Sequence, residues 1–281
     1  MFAYAGQRPS EHEPREAADR YADVLPLSPR AATAPSHAGE YDAVPDAGRR
    51  QIELRLLGGF RLLVGGELVP VGLTGQRLLA VVACRGRQAT RKQIAQALWP
   101  DATSARAHAN LRTALYRLVR SCPEAVHVTS SYLQLTVGMR IDLEQTTRLA
   151  THILSTDIVS DQAVLSDALR ANFYEDLLPE WDDEWLGDHQ YRYRQLRLTT
   201  LETLSSRLAA AGNHGAAVQT ALAAVQADSL RDSAHETLIR ACLAQGNRNE
   251  ALTHYLTYSR ILREELGLDP PANLGLLLTS A

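Results

Sequence analysis

The chain is poor in the features that would mark a secreted, membrane-bound or catalytic protein. It has three cysteines in 281 residues, Cys84, Cys122 and Cys242, odd in number and far apart. That usage argues against a disulfide framework and fits a reducing cytoplasm, with the thiols acting as small buried hydrophobes. No run of 18 apolar residues occurs, so the sequence predicts no membrane-spanning helix. The N-terminus, MFAYAGQRPSEHEPREAADR, lacks the apolar segment of a secretory signal. No Walker loop, GxSxG, HExxH or CxxC is found, and the nine histidines are scattered. The sequence therefore predicts no catalytic residues, no cofactor and no metal site. Asp182-Asp183-Glu184, between Trp181 and Trp185, lacks calcium-loop spacing and reads as charge opposing a helix dipole.

Hydrophobic residues make up 45% and charged residues 22%, enough to bury ordinary cores. The net charge of −3 conceals an asymmetry. Residues 51–150 hold 13 Lys and Arg against 6 Asp and Glu, whereas residues 151–281 hold 10 against 18. A basic segment joined to an acidic one implies a different partner for each, with a polyanion suited to the first. Three regions follow: a Pro- and Ala-rich leader (1–50) that reads as disordered, apart from a short helix around Glu13–Leu25; a basic domain (51–145); and an acidic helical domain (146–281).

In the basic domain, Ile52, Leu54 and Leu56 alternate with polar residues as in a half-buried strand. Further strands are expected at Phe60–Val64 and Glu67–Val71, joined by the Gly65-Gly66 turn. A helix follows, capped by Thr74 and running to Arg85. Thr90–Gln93 matches a capping box, and Pro100 stops the helix it opens. A third helix runs from Thr103 or Ser104 to Cys122. Val126–Val128 and Tyr132–Thr136 then form a hairpin. This is the order of a winged helix-turn-helix. The fold class is mainly α with small antiparallel β elements.

On the third helix, Leu111, Leu115, Leu118, Val119 and Cys122 make an inner stripe at helical spacing. Arg106, Asn110, Thr113, Arg117 and Arg120 make the opposite one, flanked by Arg112 and Tyr116. Arg can donate two bonds to guanine and Asn can pair doubly with adenine. Arg106, Asn110 and Thr113, near the helix start, are assigned to base edges. Arg117, Arg120, Arg112 and Tyr116 are assigned to phosphates. Arg91 and, on the hairpin, His127 and Ser130 complete the candidate DNA-binding set.

The acidic domain repeats itself. Gly212-Asn213 and Gly246-Asn247 are 34 residues apart, the tetratricopeptide period, and the same offset relates Ala217 to Ala251. The small residues are expected where helices cross closely. An earlier helix pair, roughly Val164–Leu177 and Trp185–Ala211, would complete a third unit. Tyr191, Tyr193, Tyr255 and Tyr258 are either core residues or contacts on a concave surface.

LRLLGGFRL (54–62), RLLAVVACRGR (77–87), QALWPD (96–101) and ANLRTALYRLVR (109–120) resemble the DNA-binding half of the Streptomyces antibiotic regulatory protein family. FYEDLLPEWDDEW (173–185), RQLRLTTLETLSSRLAAAG (194–212) and ALTHYLTYSRILREELGLDP (251–270) resemble its bacterial transcriptional activation domain. The resemblance spans roughly residues 52–270. It implies an OmpR-type winged helix that binds direct repeats in double-stranded promoter DNA, as a homodimer. It also implies a tetratricopeptide-like array that recruits RNA polymerase holoenzyme to a specialised-metabolite gene cluster, in the cytoplasm at the nucleoid. With nothing after residue 281, a small member is expected. Two departures stand out: the hairpin tip Thr129-Ser130-Ser131 carries no cation, and the leader lies outside the shared pattern. A repressor of the same fold and a protein-interaction scaffold are the alternative readings.

Overall fold

The alternation at Ile52–Arg55 does form a strand, β1, which pairs antiparallel with β2 (Arg61–Val64). A computed structural model of the chain describes residues 50–155, 168–169, 171 and 173–279. The leader, its expected helix at Glu13–Leu25, and residues 164–167 of the expected Val164–Leu177 helix lie outside the described residues.

β2 continues into β3 (Glu67–Leu68), shorter than the expected Glu67–Val71 because pairing with β2 ends at Leu68. Helix α1 (Leu73–Cys84) begins ahead of Thr74. The carbonyl of Gly72 accepts from Gly75 and Gln76, so Gly72 and not Thr74 is the N-cap. Strand β4 (Gln88–Thr90) follows, then α2 (Arg91–Leu98) and α3 (Ser104–Ser121). The capping box is present in full: Gln93 N donates to Thr90 Oγ1, and Gln93 Oε1 accepts from Thr90 N at 2.9 Å. β5 (Val126–Val128) and β6 (Tyr132–Leu135) form the hairpin, with β4 added to make the sheet β4-β6-β5. β7 (Arg140–Ile141) returns to pair parallel with β1, giving the order β3-β2-β1-β7. This is a winged helix-turn-helix with an N-terminal sheet.

Helices α4 (Asp142–Ser155), α5 (Glu184–Ala210), α6 (His214–Ala227), α7 (Asp232–Ala244), α8 (Arg248–Leu266) and α9 (Ala272–Thr279) build the second half as a tetratricopeptide-like array. Asn213 and Asn247, the repeated asparagines, cap α6 and α8, each accepting from the backbone N–H three residues on at 3.4 Å. The glycines before them do not serve the close helix crossing that the sequence predicts. Gly212 and Gly246 have φ of 79° and 82°, and a methyl group at either would meet open space. They are needed for their left-handed backbone. Ala217, Ala224 and Ala251, by contrast, are buried. The expected helix ending at Leu177 is replaced there by extended chain, with Leu177 bridging to Leu57. It is α4 that packs against α5. Tyr193 and Tyr258 are core residues, while Tyr191 is exposed.

Two hydrophobic cores result, within one compact unit spanning residues 50–281. The first, inside the winged helix, also takes in Leu177, Leu178, Leu186 and Tyr193 from beyond it. Each buried leucine contributes about 1.5–3 kcal/mol by leaving water. Polar contacts reinforce this docking. Asp142, the first residue of α4, accepts from the backbone N–H groups of Leu56 and Leu57 at 2.9–3.0 Å. Burial raises its carboxyl above the ordinary range, and these N–H bonds oppose that rise. Phe60, expected in β2, instead precedes the strand and stacks on Trp181, with ring centroids 6.2 Å apart. Arg197, 2% exposed, is neutralised by Asp176 at 2.9 Å.

Candidate nucleic-acid interface

Helix α3 is capped by Thr103, whose hydroxyl accepts from Arg106 N at 3.4 Å. Its buried face is Ala107, Leu111, Ala114, Leu115, Leu118 and the C-cap Cys122. Val119, expected inside, is 38% exposed. At about 100° per residue it falls beyond the edge of the stripe, and the small Ala107 and Ala114 fill the inner face instead. Burial raises the Cys122 thiol above its usual range, and Glu124 adds to the rise.

The outward face bears Arg106, Arg112, Thr113, Tyr116, Arg117 and Arg120, all exposed, with Asn110 half-buried. None of these four arginines forms an ion pair among the described residues, and α3 contains no acidic residue. Elsewhere Arg77, Arg87, Arg197 and Arg231 are all spent on carboxylates. Arg120 lies over the Tyr116 ring at 5.9 Å, which steadies both side chains at the surface. The Thr113 hydroxyl donates to the Ala109 carbonyl at 3.2 Å, which commits its proton and leaves the oxygen able to act only as an acceptor.

The structure divides the predicted set. Asn110, Thr113 and Arg117 line one side of an open cleft of about 480 Å³. Gly72, Leu73 and Thr74, at the start of α1, line the other. Arg106, Arg112, Tyr116 and Arg120 do not line it. Sequence reading missed this cleft, because no local pattern shows that the start of α1 packs beside α3.

Arg91 and the hairpin are tied together. Arg91 Nε donates to the Thr129 carbonyl at 2.9 Å, and Arg91 N donates to the Ser131 carbonyl at 3.0 Å. The Thr129 hydroxyl accepts from Ser131 N and Tyr132 N, closing the tip. Arg91 therefore holds the wing against the start of α2. Ser130 and His127 are exposed on that wing.

Residues 142–278 match the family model of the bacterial transcriptional activator domain. The chain is 31% identical over 232 residues to regulatory protein AfsR of Streptomyces coelicolor, an alignment covering 78% of this chain and 23% of that protein. AfsR of Streptomyces griseus is 28% identical over 236 residues, covering 80% and 24%. The chain thus spans about a quarter of the length of the curated relatives it matches. The fold is shared with Mycobacterium tuberculosis EmbR, solved in complex with a low-affinity phosphopeptide: TM-score 0.66, 18% identity, 82% of this chain and 65% of that one. The resemblance to the Streptomyces antibiotic regulatory protein family is borne out, as is the expectation of a winged helix followed by a helical repeat. Among the described residues no helix is long and apolar enough to cross a membrane.

Proposed function

We propose that the chain is a sequence-specific DNA-binding transcriptional activator. The observation that carries this reading is the outer face of α3, the second helix of a helix-turn-helix, where four arginines have no carboxylate partner among the described residues. Unpaired guanidinium groups on a helix of groove-filling width suit a duplex better than a solvated surface does. Arg106, Asn110 and Thr113 are proposed to read base edges. Arg112, Tyr116, Arg117 and Arg120 are proposed to contact phosphates. Arg91 orients the wing, whose Ser130 and His127 touch the backbone.

The bacterial transcriptional activator domain supports an activating role and a site of action in the cytoplasm, at the nucleoid. Two copies side by side on a direct repeat would raise the local concentration of a weak contact to RNA polymerase. The AfsR relatives favour a specialised-metabolite gene cluster as the target. Nothing in the site calls for catalysis.

Fluorescence anisotropy of the full chain with DNA upstream of its own and neighbouring genes, against random competitor across a salt series, tests the reading. Sequence preference with a steep salt slope supports it. Weak binding removed by competitor at every salt concentration overturns it in favour of an interaction scaffold. The cation-free wing tip, Thr129-Ser130-Ser131, is the observation on which that second reading rests.

A further inference from the structure

Cys242 lies in the last turn of α7, fully buried. The chain turns through Gln245, Gly246 and Asn247 and enters α8, whose first turns carry Glu250 and His254. Four-residue spacing sets those two on one helix face. The Cys242 sulfur, a Glu250 carboxylate oxygen and a His254 ring nitrogen all lie within 4.8 Å of one another. Among the described residues no other three such side chains converge in this way. Glu250 is already oriented: Asn247 Nδ2 donates to its Oε2 at 2.6 Å, and its Oε1 lies 3.9 Å from His254 Nε2.

We propose that Cys242, Glu250 and His254 bind a divalent transition metal of the zinc class. This goes beyond DNA binding and does not depend on it. A thiolate, an imidazole and a carboxylate are the ligand types zinc takes, whereas magnesium and calcium require an all-oxygen shell. Bond lengths of about 2.0–2.3 Å place tetrahedral ligand atoms roughly 3.3–3.8 Å apart, so the three must draw in by about 1.5 Å at most. Glu250 and His254, with side chains 40% and 26% exposed, have room to move, while buried Cys242 fixes the site. Glu250 also borders an open cleft of about 490 Å³ beside Gly215 and Gln219 of α6. Solvent can therefore supply a fourth ligand. The ion would clasp α7 to α8 across their turn.

Uptake has a definite proton balance. Burial and the Glu250 carboxylate push the Cys242 thiol up to about 11, so it holds its proton in the metal-free protein at neutral pH. As the sulfur–metal bond forms, the S–H bond breaks and the proton leaves to solvent. His254 coordinates as neutral imidazole. Roughly one proton is released per ion.

The test is a Co²⁺ titration of the reduced full chain, free of any affinity tag, followed by Zn²⁺ competition. The expected result is a thiolate-to-cobalt charge-transfer band that saturates at one ion per chain and is erased by Zn²⁺. With Zn²⁺ at a hundredfold over its Kd, the melting temperature should rise by about 5–10 °C. Cys242→Ser should abolish the band. Glu250→Gln and His254→Gln should each weaken binding by about tenfold or more. A band that survives Cys242→Ser would come from Cys84 or Cys122 and would overturn the proposal. So would the absence of a thiolate band. Should Cys242→Ser not fold, the two part-exposed ligand variants decide: unchanged Co²⁺ affinity in both overturns the site.

Discussion

Arg77 Nε, on the first helix of the winged domain, lies 3.0 Å from Asp183 Oδ2, at the start of α5. The pair spans the junction between the winged-helix half and the helical half. It is a charge contact and not an aligned hydrogen bond, since neither atom finds a hydrogen-bond partner.

The pair is part-buried, with side chains 38% and 13% exposed. Exposed pairs are worth about 0.2–1 kcal/mol, and breaking buried ones costs about 3–5 kcal/mol. Asp183→Ala is expected to lower stability by about 1–2 kcal/mol, measured as a shift in urea midpoint. A double-mutant cycle with Arg77→Ala should show coupling; strictly additive losses would mean the ion pair contributes nothing of its own.

On α3, Arg120→Ala should weaken binding to all DNA sequences alike and reduce the salt slope by about one. Arg106→Ala should cost about 1–3 kcal/mol and relax base preference at one position. Binding isotherms against a panel of operator variants separate the two. If Arg106→Ala left preference intact, the helix would be turned differently in the groove.

His189 and His235 supply a pH dependence. Burial lowers the pKa of both below 6.5, with Arg85 and Arg192 adding to the shift at His189. His235 stacks on Tyr258 at 3.7 Å, its Nε2 on the Ser229 carbonyl at 3.0 Å and its Nδ1 without a partner. That arrangement holds the neutral ring. The unfolded chain therefore takes up protons first as pH falls. Stability should be full above pH 6.5 and decline below it, as followed by denaturant midpoints in steps from pH 7.5 to 5. His189→Gln and His235→Gln should each flatten that decline; an unchanged slope in both would assign it elsewhere.

Gly246→Ala places a side chain at φ 82°, which is expected to cost about 1–2 kcal/mol although space is open around it. Gly72→Ala, with φ −64° and equally open surroundings, should cost far less. Thermal melts of the two variants compare backbone strain with the loss of a simple hydrogen.

What the sequence revealed depended on range. The capping box at Thr90–Gln93, the wing hairpin and the 34-residue repeat are local or periodic, and each appears where expected. The parallel pairing of Glu53 with Arg140 and the antiparallel pairing of Gln88 with Gln134 join distant segments and leave no local trace. Leu177 reads as the end of a helix but belongs, with Leu178, to the first core, because tertiary burial outweighed local propensity. On α3 the outward stripe was legible from its spacing. The tethering of Arg91 to Thr129 was not, because it depends on how the hairpin folds back. The convergence of Cys242 with Glu250 and His254 was hidden by the turn between them.

The carboxylate of Asp142 holds the two N–H groups that follow β1, so the activator domain begins on a residue that the winged helix also needs. A cut between β1 and α4 would separate this carboxylate from the N–H groups it holds. Parts exchanged between relatives at this junction would have to carry both ends of the clasp.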